Sequence, residues 1–431
     1  MSKTEIIHKI ESYIPNFILK AYRKCKRFYF WELQQIAYKF ALHRVQKKQG
    51  PVNVIFINAQ PSIWKYDSLF NQMLNNEHFN PMVLVCPLEG RGKALMLSSL
   101  NESYNFFKKK GYPVRCAYNT TDGSYLNIKE LSPDILFYPT QYPHQLNKRY
   151  NQYTLRRYLK CLVNYAFVNV SGDWSCASAV HGLMWRYFAE CESNRQLALS
   201  YNKREFRNIR VVGYPIYDEF QNATGEATAW KNPHPKFKRI IWAPHHTIEG
   251  RTGLLQFSTF FLYHDIMLHL AEKYKDKVQF VFKPHPLLRN NLYGHAAWGK
   301  ERTDAYYERW EKGENTAFVN GTYMDLFKSS DAMIHDCGSF IVEYLYTQKP
   351  VLYLGTNREE QSNIVGKKAY QCHYHGNSIE DIENFITSVV IEGNDPMKND
   401  RREFFNANLL PPHGKSVAEN IIDELKKELC K

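Results

Sequence analysis

Three short polar segments in the second half of the chain combine a cation, imidazoles and small residues. Each segment directly follows an apolar run that is typical of a buried strand. The segments are Pro244-His245-His246, Lys283-Pro284-His285-Pro286 and Asp336-Cys337-Gly338-Ser339. Because ligands of open α/β sheets lie beyond the carboxyl ends of the strands, these segments are expected to meet around one ligand.

The second and third segments have the chemistry of a phosphate site. Flanking prolines restrict the backbone, so Lys283 and His285 keep little conformational freedom. Gly338 lets the backbone approach a ligand closely, while Ser339 and the N–H groups of a helix start are suited to phosphate. Glu343 lies about one turn into that helix and is placed to accept hydrogen bonds from ligand hydroxyls. Together these residues predict a site for an activated, phosphate-bearing donor.

Simpler structural roles would also explain these residues. A surface turn would explain His285, and a loop would explain His245 and His246. A helix cap would explain Asp336 or Ser339, although capping and phosphate binding use the same N–H groups. No metal site and no cofactor are expected, because adjacent histidines in an extended segment point to opposite sides and no third ligand can be assigned.

Strands that alternate with helices must position these segments. The pattern runs through 50–222 and again through 238–410, with a polar, proline-punctuated linker at 223–237. It indicates parallel sheets covered by helices on both faces, followed by a C-terminal helix in 411–431. The fold class is therefore α/β, with two domains in series and a cleft between them. The predicted strands are 52–57, 81–86, 112–118, 134–138 and 162–170 in the first domain, and 239–244, 278–282, 331–335 and 351–354 in the second.

Residues 1–49 precede these domains and are predicted to form a basic helical arm. Residues 1–48 hold eleven Lys or Arg against three Glu and carry most of the formal net charge of +13. Apolar residues at helical spacing predict two basic amphipathic helices, with Pro15 near the start of the first. Such helices lie in membrane interfaces, where anionic lipid attracts Lys and Arg. The alternative is an arm packed on the protein's own core with its charged face in water.

Length and composition exclude several classes of protein. A chain of 431 residues with 44% apolar residues is expected to form two domains with hydrophobic cores. No uninterrupted apolar run has membrane-spanning length, and the first residues lack a signal-peptide pattern, so spanning and secretion are disfavoured. Nine scattered cysteines without a CxxC pair indicate reduced thiols and a cytoplasmic protein. The sequence contains no P-loop, α/β-hydrolase or zincin motif.

Five motifs in order along the chain resemble the CDP-glycerol glycerophosphotransferase family, whose members build teichoic acids and related capsular polymers. The motifs are Gly213-Tyr214-Pro215, Ala243-Pro244-His245, Lys283-Pro284-His285-Pro286, Asp336-Cys337-Gly338-Ser339 with Glu343, and Gly414-Lys415-Ser416-Val417-Ala418. The resemblance implies a GT-B-like arrangement of two Rossmann-like domains that face a cleft, with the nucleotide donor bound mainly by the second.

The resemblance also implies roles for individual residues. It implies that His285 contacts the donor pyrophosphate and that Gly338 and Ser339 bind phosphate at the helix start. It further implies that Glu343 contacts donor hydroxyls and that Pro244-His245 lines the nucleotide pocket. The expected donor-binding set is completed by Lys283, Pro284 and Asp336.

The sequence departs from the family pattern in the first domain. Family members often carry a Trp-His-Gly-Thr-Pro motif whose histidine is the proposed base, and the nearest match here is His181-Gly182 in a different setting. His181 is therefore the candidate base, with His144 and Asp173 as alternatives. Ile216 stands where a basic residue often follows Gly-Tyr-Pro, and Gly338 replaces the first serine of a pair.

The implied reaction moves a polyol phosphate, expected to be glycerol phosphate, from a CDP-activated donor to a hydroxyl of a lipid-linked cell-surface polymer or capsular glycan, and releases CMP. The expected partners are CDP-glycerol or a related CDP-polyol, a lipid-linked acceptor and, through residues 1–48, the anionic inner face of the cell membrane. Two alternatives stay open: a GT-B glycosyltransferase that uses a nucleotide sugar, and a non-catalytic, membrane-associated scaffold. Nucleic acid is not an expected partner, because the positive charge is concentrated in an amphipathic arm.

Overall fold

The computed structural model describes residues 15–90, 92–231, 234, 236–248, 257–355 and 359–430. Within them, the first domain is built on a seven-stranded sheet. Its strands are β1 (Val52–Asn58), β2 (Phe79–Val85), β3 (Val114–Cys116), β4 (Ile135–Tyr138), β5 (Leu159–Val163), β6 (Arg186–Ala189) and β7 (Ile209–Val211). All neighbours pair in parallel, in the order β3-β2-β1-β4-β5-β6-β7.

The second domain repeats this architecture. Its strands in the described residues are β8 (Lys238–Ala243), β9 (Val278–Phe282), β10 (Thr316–Phe318), β11 (Ala332–His335), β12 (Val351–Leu354) and β13 (Tyr374–Gly376). They also pair in parallel, in the order β10-β9-β8-β11-β12-β13. This is the strand order of a Rossmann fold, so the order reverses between β8 and β11.

Helices cover both faces of the two sheets. In the first domain they are α1 (Asn16–Gln46), α2 (Asp67–Leu74), α3 (Lys93–Lys109), α4 (Asp173–Cys176), α5 (Ala179–Gly182), α6 (Glu192–Tyr201) and α7 (Ile216–Asn222). In the second they are α8 (Phe260–Lys273), α9 (Leu288–Gly294), α10 (Gly299–Lys312), α11 (Met324–Ser329), α12 (Phe340–Glu343), α13 (Ile364–Gln371), α14 (Ile379–Asn384) and α15 (Lys398–Phe404), followed by α16 (Val417–Leu429).

Central strands are buried from end to end because helices cover both of their faces. Every residue of β4, β5, β9, β11 and β12 is buried. Strands of this kind appear in a sequence as continuous apolar runs, so the sequence located them within a few residues. The predicted strand at 162–170 is wrong beyond Val163, because the chain leaves the sheet there and runs toward the second domain. The α/β class with two Rossmann-like sheets is confirmed.

The N-terminal segment is a single helix in the described residues, so the prediction of two helices is wrong for 16–46. Residues 1–14 of the expected arm lie outside the described residues. Trp31, Tyr38 and Val45 are buried against the first domain, because they recur on one face of α1. The second half of α1 is therefore part of that domain's core. No helix in the described part of the chain has the length and apolarity needed to cross a membrane.

The C-terminal helix α16 returns to the first domain. Both carboxylate oxygens of Asp218, on α7, accept hydrogen bonds from the first backbone N–H groups of α16, those of Val417 and Ala418, at 2.8 and 2.9 Å. Gly213 has φ +99°, and a Cβ there would lie 2.8 Å from the Val417 side chain. The Gly213-Tyr214-Pro215 motif thus packs against the Gly414–Ala418 motif. A side chain at position 213 would collide with Val417, which explains the glycine in Gly-Tyr-Pro.

Candidate functional site

The site lies at the edge where the strand order of the second sheet reverses. Doubly wound sheets bind ligands in the crevice at such an edge. His245 follows β8, His285 follows the neighbouring β9, and Asp336 follows β11. The structure therefore brings together the three segments that the sequence predicted to meet.

A buried carboxylate fixes the ends of these strands. Asp336 Oδ1 accepts a hydrogen bond from the His245 backbone N–H at 2.5 Å. Its Oδ2 accepts from the backbone N–H and the hydroxyl of Thr259, at 2.6 and 2.9 Å. Burial raises the pKa of Asp336 to about 6, although these hydrogen bonds oppose the shift. The geometry makes Asp336 a positioning residue for the loop that carries His245.

Three imidazole rings cluster beside this carboxylate. The ring centroids are 4.3 Å apart for His245 and His246, and 4.2 Å apart for His246 and His285. The centroids of His245 and His285 are 5.1 Å apart. The expectation that the adjacent histidines point to opposite sides is wrong, because the chain is no longer a strand after Ala243.

A backbone hydrogen bond sets the tautomer of the neutral His285 ring, because His285 Nδ1 accepts from the Leu287 backbone N–H at 3.2 Å. His245 Nδ1 lies 2.9 Å from the Thr247 hydroxyl and 3.4 Å from the Thr247 backbone nitrogen. His246 Nδ1 lies 3.3 Å from Nδ2 of Asn291, which also donates to the His246 carbonyl at 2.8 Å. A neutral imidazole whose Nδ1 accepts carries its proton on Nε2. Neutral His285 is therefore an N–H donor at Nε2.

The same cluster is the candidate for a metal centre in the described residues. Ring nitrogens of His245, His246 and His285 lie within 4.8 Å of one another. Metal-bound histidines almost always donate their second ring N–H to an acceptor, whereas Nδ1 of His285 accepts a hydrogen bond. Converging N–H donors suit a phosphate oxygen. The cluster is thus better suited to an anion than to a metal ion.

Burial affects the charges of Lys283 and His285, the two donors of the second segment, differently. Burial, with contributions from His246 and Lys283, lowers the pKa of His285 to about 3, so the ring is neutral at physiological pH. Burial also lowers the pKa of Lys283 to about 8, so the ammonium stays mostly charged. Its Nζ lies 4.8 Å from the Tyr323 ring centroid and 5.8 Å from that of Phe340. A cation in such apolar surroundings attracts a phosphate more strongly than one in water.

Glu343 connects the two domains. Its Oε1 accepts from the hydroxyl of Tyr214 at 2.9 Å, and its Oε2 accepts from that of Tyr323 at 2.6 Å. Lys65, from the first domain, donates to the Tyr323 hydroxyl at 3.4 Å. The resemblance implies that the Glu343 carboxylate contacts donor hydroxyls, but both of its oxygens accept hydrogen bonds from tyrosines. One of them is Tyr214 of the Gly-Tyr-Pro motif, which belongs to the other domain.

Gly338 and Ser339 lie at the start of α12, which is one turn long. The Gly338 carbonyl accepts from the side-chain amide of Asn169, in the first domain, at 3.0 Å. A Cβ at Gly338 would lie 3.1 Å from the Phe257 ring, so the position leaves little room for a side chain. Ser339 is exposed and makes no side-chain cap.

The chain after β5 also reaches the second domain. Val170 forms an isolated antiparallel bridge with Ser362, and the Ser171 N–H donates to the Gln361 carbonyl at 2.9 Å. The side chain of Asn363 donates to the Val168 carbonyl at 2.9 Å. Residues 168–171 therefore join the first domain to the second.

The structure does not place His181 with the other predicted site residues. It lies in the core of the first domain with no exposed surface, where its Nδ1 bonds the Ser178 hydroxyl at 2.8 Å and its ring packs on Tyr187. Burial lowers the pKa of His181 to about 3. His144 and Asp173 are exposed, His144 in a short 3-10 helix after β4 and Asp173 at the start of α4.

Sequence reasoning missed Glu219, which lies on α7 four residues after Gly-Tyr-Pro. Burial raises the pKa of Glu219 to about 7; the nearby Lys65 opposes this shift, while the charges of Asp67 and Glu343 add to it. A carboxyl group with this pKa can exchange a proton near neutrality. Nothing in the sequence marks it, because the shift arises from chain segments that meet only in the fold.

A family model matches residues 187–427, more than half of the chain. Its description is CDP-glycerol:poly(glycerophosphate) glycerophosphotransferase. The match begins in β6 and includes every motif of the site described above. No curated protein sequence matches the chain.

Solved structures with the same fold include two kinds of enzyme. A variant of the wall teichoic acid polymerase TagF aligns over 96% of this chain and 98% of its own, with 11% identity and a TM-score of 0.55. A UDP-GlcNAc 2-epimerase from Neisseria meningitidis, bound to UDP-GlcNAc, aligns over 88% and 100%, with 14% identity and a TM-score of 0.52. A putative UDP-N-acetylglucosamine 2-epimerase from Listeria monocytogenes aligns over 88% and 97%, with 14% identity and a TM-score of 0.55. These likenesses confirm the GT-B-like fold.

Replacing Asp336 by Asn is expected to lower the free energy of unfolding by about 1–3 kcal/mol, because the amide would leave a buried N–H donor unpaired. Urea unfolding followed by tryptophan fluorescence measures the change. Asp276→Asn, at an exposed position of the same domain, is the control. Equal midpoints for Asp336→Asn and the wild type would contradict the positioning role.

Proposed function

Because the chain belongs to the CDP-glycerol:poly(glycerophosphate) glycerophosphotransferase family, we propose that it moves glycerol phosphate from CDP-glycerol to a hydroxyl of a lipid-linked teichoic acid or capsular polymer. CMP is the product released. The observation that carries this proposal is the clustering of three imidazoles, among them the neutral N–H donor His285, with one buried cation at the edge where strand order reverses. An anion of high charge density, such as a pyrophosphate, fits these groups.

The donor pyrophosphate would lie against the histidine cluster. His285 Nε2–H donates to a phosphate oxygen, and Lys283 supplies the positive charge. The backbone N–H groups of Gly338 and Ser339 add further donors, and Pro244-His245 lines the adjoining nucleotide pocket. In this proposal, Glu343 holds the two domains together through its hydrogen bond with Tyr214. The hydroxyls of the donor are bound by other groups.

Transfer needs mainly positioning and charge stabilisation. An acceptor oxygen attacks the phosphorus that carries glycerol, the bond from that phosphorus to the CMP oxygen breaks, and CMP leaves with the electron pair. Charge that builds up on the phosphate oxygens is stabilised by Lys283 and by the donors around it.

The proton of the acceptor hydroxyl passes to a base on the first-domain side of the cleft. His144 and Asp173 are exposed and are candidates in place of the buried His181, and Glu219 is a third candidate because its pKa is raised to about 7. Substitution identifies the base among these candidates: its loss lowers kcat and removes the acidic limb of the pH profile of kcat.

The membrane contact of the proposal is assigned to the outer face of α1. Large apolar side chains recur there on the face opposite the buried one, and they are 46–73% exposed. They are Ile18, Tyr22, Tyr29, Ile36 and Phe40, and we call them the outer stripe. Exposed Lys26 and Lys39 flank the stripe. An apolar face with basic flanks suits an anionic lipid surface.

Replacing His285 by Ala is expected to lower CMP release from CDP-glycerol roughly 10²–10³-fold, because one phosphate donor is lost from the transition state. The variant should keep the wild-type melting curve. His269→Ala, at an exposed position on α8, is the matched control and should keep full activity. Full activity of His285→Ala would refute the assignment.

Affinity for CDP-glycerol is expected to weaken as the pH rises through about 8, because Lys283 is cationic below its folded pKa and neutral above it. Donor dissociation constants measured from pH 7 to pH 9.5 test this. Lys283→Arg should flatten the profile, because a guanidinium stays charged over this range. A wild-type profile that is flat over the same range counts against Lys283 as the phosphate cation.

Replacing Tyr29, Ile36 and Phe40 together by Ser is expected to weaken binding to phosphatidylglycerol vesicles by roughly tenfold or more, since burial of each apolar side chain contributes on the order of 1.5–3 kcal/mol. Turnover on a soluble acceptor should stay unchanged. Leu262→Ser, at an apolar position of α8 that is 69% exposed, is the control. Unchanged vesicle binding of the triple variant would refute the membrane role. Removal of residues 1–48 is a poorer test, because it would also remove Trp31 and Tyr38 from the core.

A further inference from the structure

A cavity of about 600 Å³ lies in the first domain and shares no residue with the donor site. One wall comes from residues 125–129, which precede β4, and the other comes from residues 149–158, which precede β5. This volume is in the range of small-ligand pockets. The cavity also lies outside residues 187–427, which the family model matches, so the donor chemistry of the family does not account for it.

The walls of this cavity carry four cations and no carboxylate. The cations are Lys129, Arg149, Arg156 and Arg157, and no Asp or Glu lines the cavity. Within the described part of the chain, none of the four makes an ion pair. Glu89 is the acidic residue that contacts Tyr125, and it accepts hydrogen bonds from Tyr125 and Asn147 at 3.4 and 3.0 Å. The positive charge of the cavity is therefore uncompensated and attracts an anion.

Two of the guanidinium groups are stacked on rings, and their N–H groups are unused. The guanidinium carbon of Arg149 lies 4.9 Å from the Tyr125 ring centroid, and that of Arg157 lies 5.6 Å from the Tyr158 ring centroid. Neither guanidinium donates a hydrogen bond to another described residue. Stacking restricts a guanidinium but leaves its N–H groups available, and two of these can bind one phosphate. Both arginines are thus suited to phosphate.

The cavity borders the helix that carries the outer stripe. The guanidinium carbon of Arg156 lies 4.9 Å from the ring centroid of Phe30, on α1. Arg44, also on α1, donates a hydrogen bond to the Arg157 carbonyl at 3.1 Å. Arg44 lies one helical turn after Phe40 of the outer stripe, and residues at this spacing are neighbours on a helix surface. The cavity wall therefore contacts α1 beside the stripe.

The number and position of the cations favour a ligand with two phosphates. Lys129 lies on one wall, and Arg149 and Arg157 lie on the other. One phosphodiester carries a single negative charge, whereas two phosphates joined by a short linker carry two charges and can reach both walls. Basic pockets at a membrane bind lipid headgroups of this kind.

We propose that this cavity binds a membrane phospholipid whose headgroup carries two phosphates, and that this lipid orients the first domain on the membrane. The phosphates lie between Lys129 and the stacked guanidinium groups of Arg149 and Arg157, while the acyl chains stay in the bilayer. The lipid is a docking ligand and not the acceptor of the reaction. This inference rests on the membrane contact of the proposed function, and it adds to that contact a preference among anionic lipids.

Vesicle binding at matched surface charge tests the proposal with the full chain. Phosphatidylcholine vesicles that contain about 10 mol% cardiolipin, with two phosphates per lipid, carry the same charge as vesicles with about 20 mol% phosphatidylglycerol, with one. The protein is expected to bind the cardiolipin vesicles roughly fivefold more tightly or better, because one headgroup then reaches cations on both walls. Equal affinity for the two kinds of vesicle would overturn the proposal. Release of the protein by micromolar pyrophosphate at constant ionic strength would identify a soluble diphosphate as the ligand and would overturn the lipid assignment.

Two triple variants with the same change in net charge locate the preference. The cavity variant neutralises exposed cations of the cavity walls and combines Lys129→Gln, Arg149→Gln and Arg157→Gln. The control variant neutralises exposed cations of the second domain and combines Lys277→Gln, Lys398→Gln and Arg402→Gln. The cavity variant should bind both kinds of vesicle equally, and the control variant should keep the preference for cardiolipin. A preference that persists in the cavity variant, or that is lost equally in both variants, would overturn the proposal.

Melting curves and CMP release on a soluble acceptor are measured in parallel. Both triple variants should match the wild type in these two assays, because none of the substituted residues lies at the donor site. Absence of CMP release in the wild type would contradict the proposed transfer reaction, whereas the comparison of vesicles still reports on the cavity alone.

Discussion

The buried carboxylate of Asp336 is the contact on which the candidate site depends. It accepts three hydrogen bonds, one from the backbone that follows β8 and two from Thr259, while its own position is fixed by β11. Strand order brings β8 and β11 together, and the carboxylate then holds their loops in one arrangement. His245 and His246 are carried by the loop that it fixes, beside His285 from β9. Without this carboxylate, His245 and His246 would not be held beside His285.

A second set of contacts holds the two domains at the cleft. Glu343 accepts hydrogen bonds from Tyr214 of the first domain and Tyr323 of the second, and Asn169 reaches across to the Gly338 carbonyl. The segment of the second domain that carries Gly338 thus contacts the chain after β5 of the first domain.

Local patterns predicted a large part of this arrangement. Apolar runs located the central strands, because both faces of those strands are buried, and the strand ends then placed Lys283, His285 and Asp336 at one edge. Long-range contacts escaped prediction. The turn after Ala243 that gathers His245 and His246, and the shift in the pKa of Glu219, depend on segments far apart in the chain. The amphipathic pattern of 16–46 predicted a helix. It did not predict which face of the helix is buried, because both faces of α1 carry apolar residues. His181 illustrates the opposite error, since a sequence match to a catalytic pair marked a histidine that packs in the core.

The most direct test of the account is a donor panel. The purified protein would be incubated with an acceptor and, separately, with CDP-glycerol, CDP-ribitol and UDP-N-acetylglucosamine, and the nucleotide released would be quantified. The account predicts acceptor-dependent release of CMP from CDP-glycerol and no release of UDP. Release of UDP alone, or no nucleotide release from any donor, would contradict it.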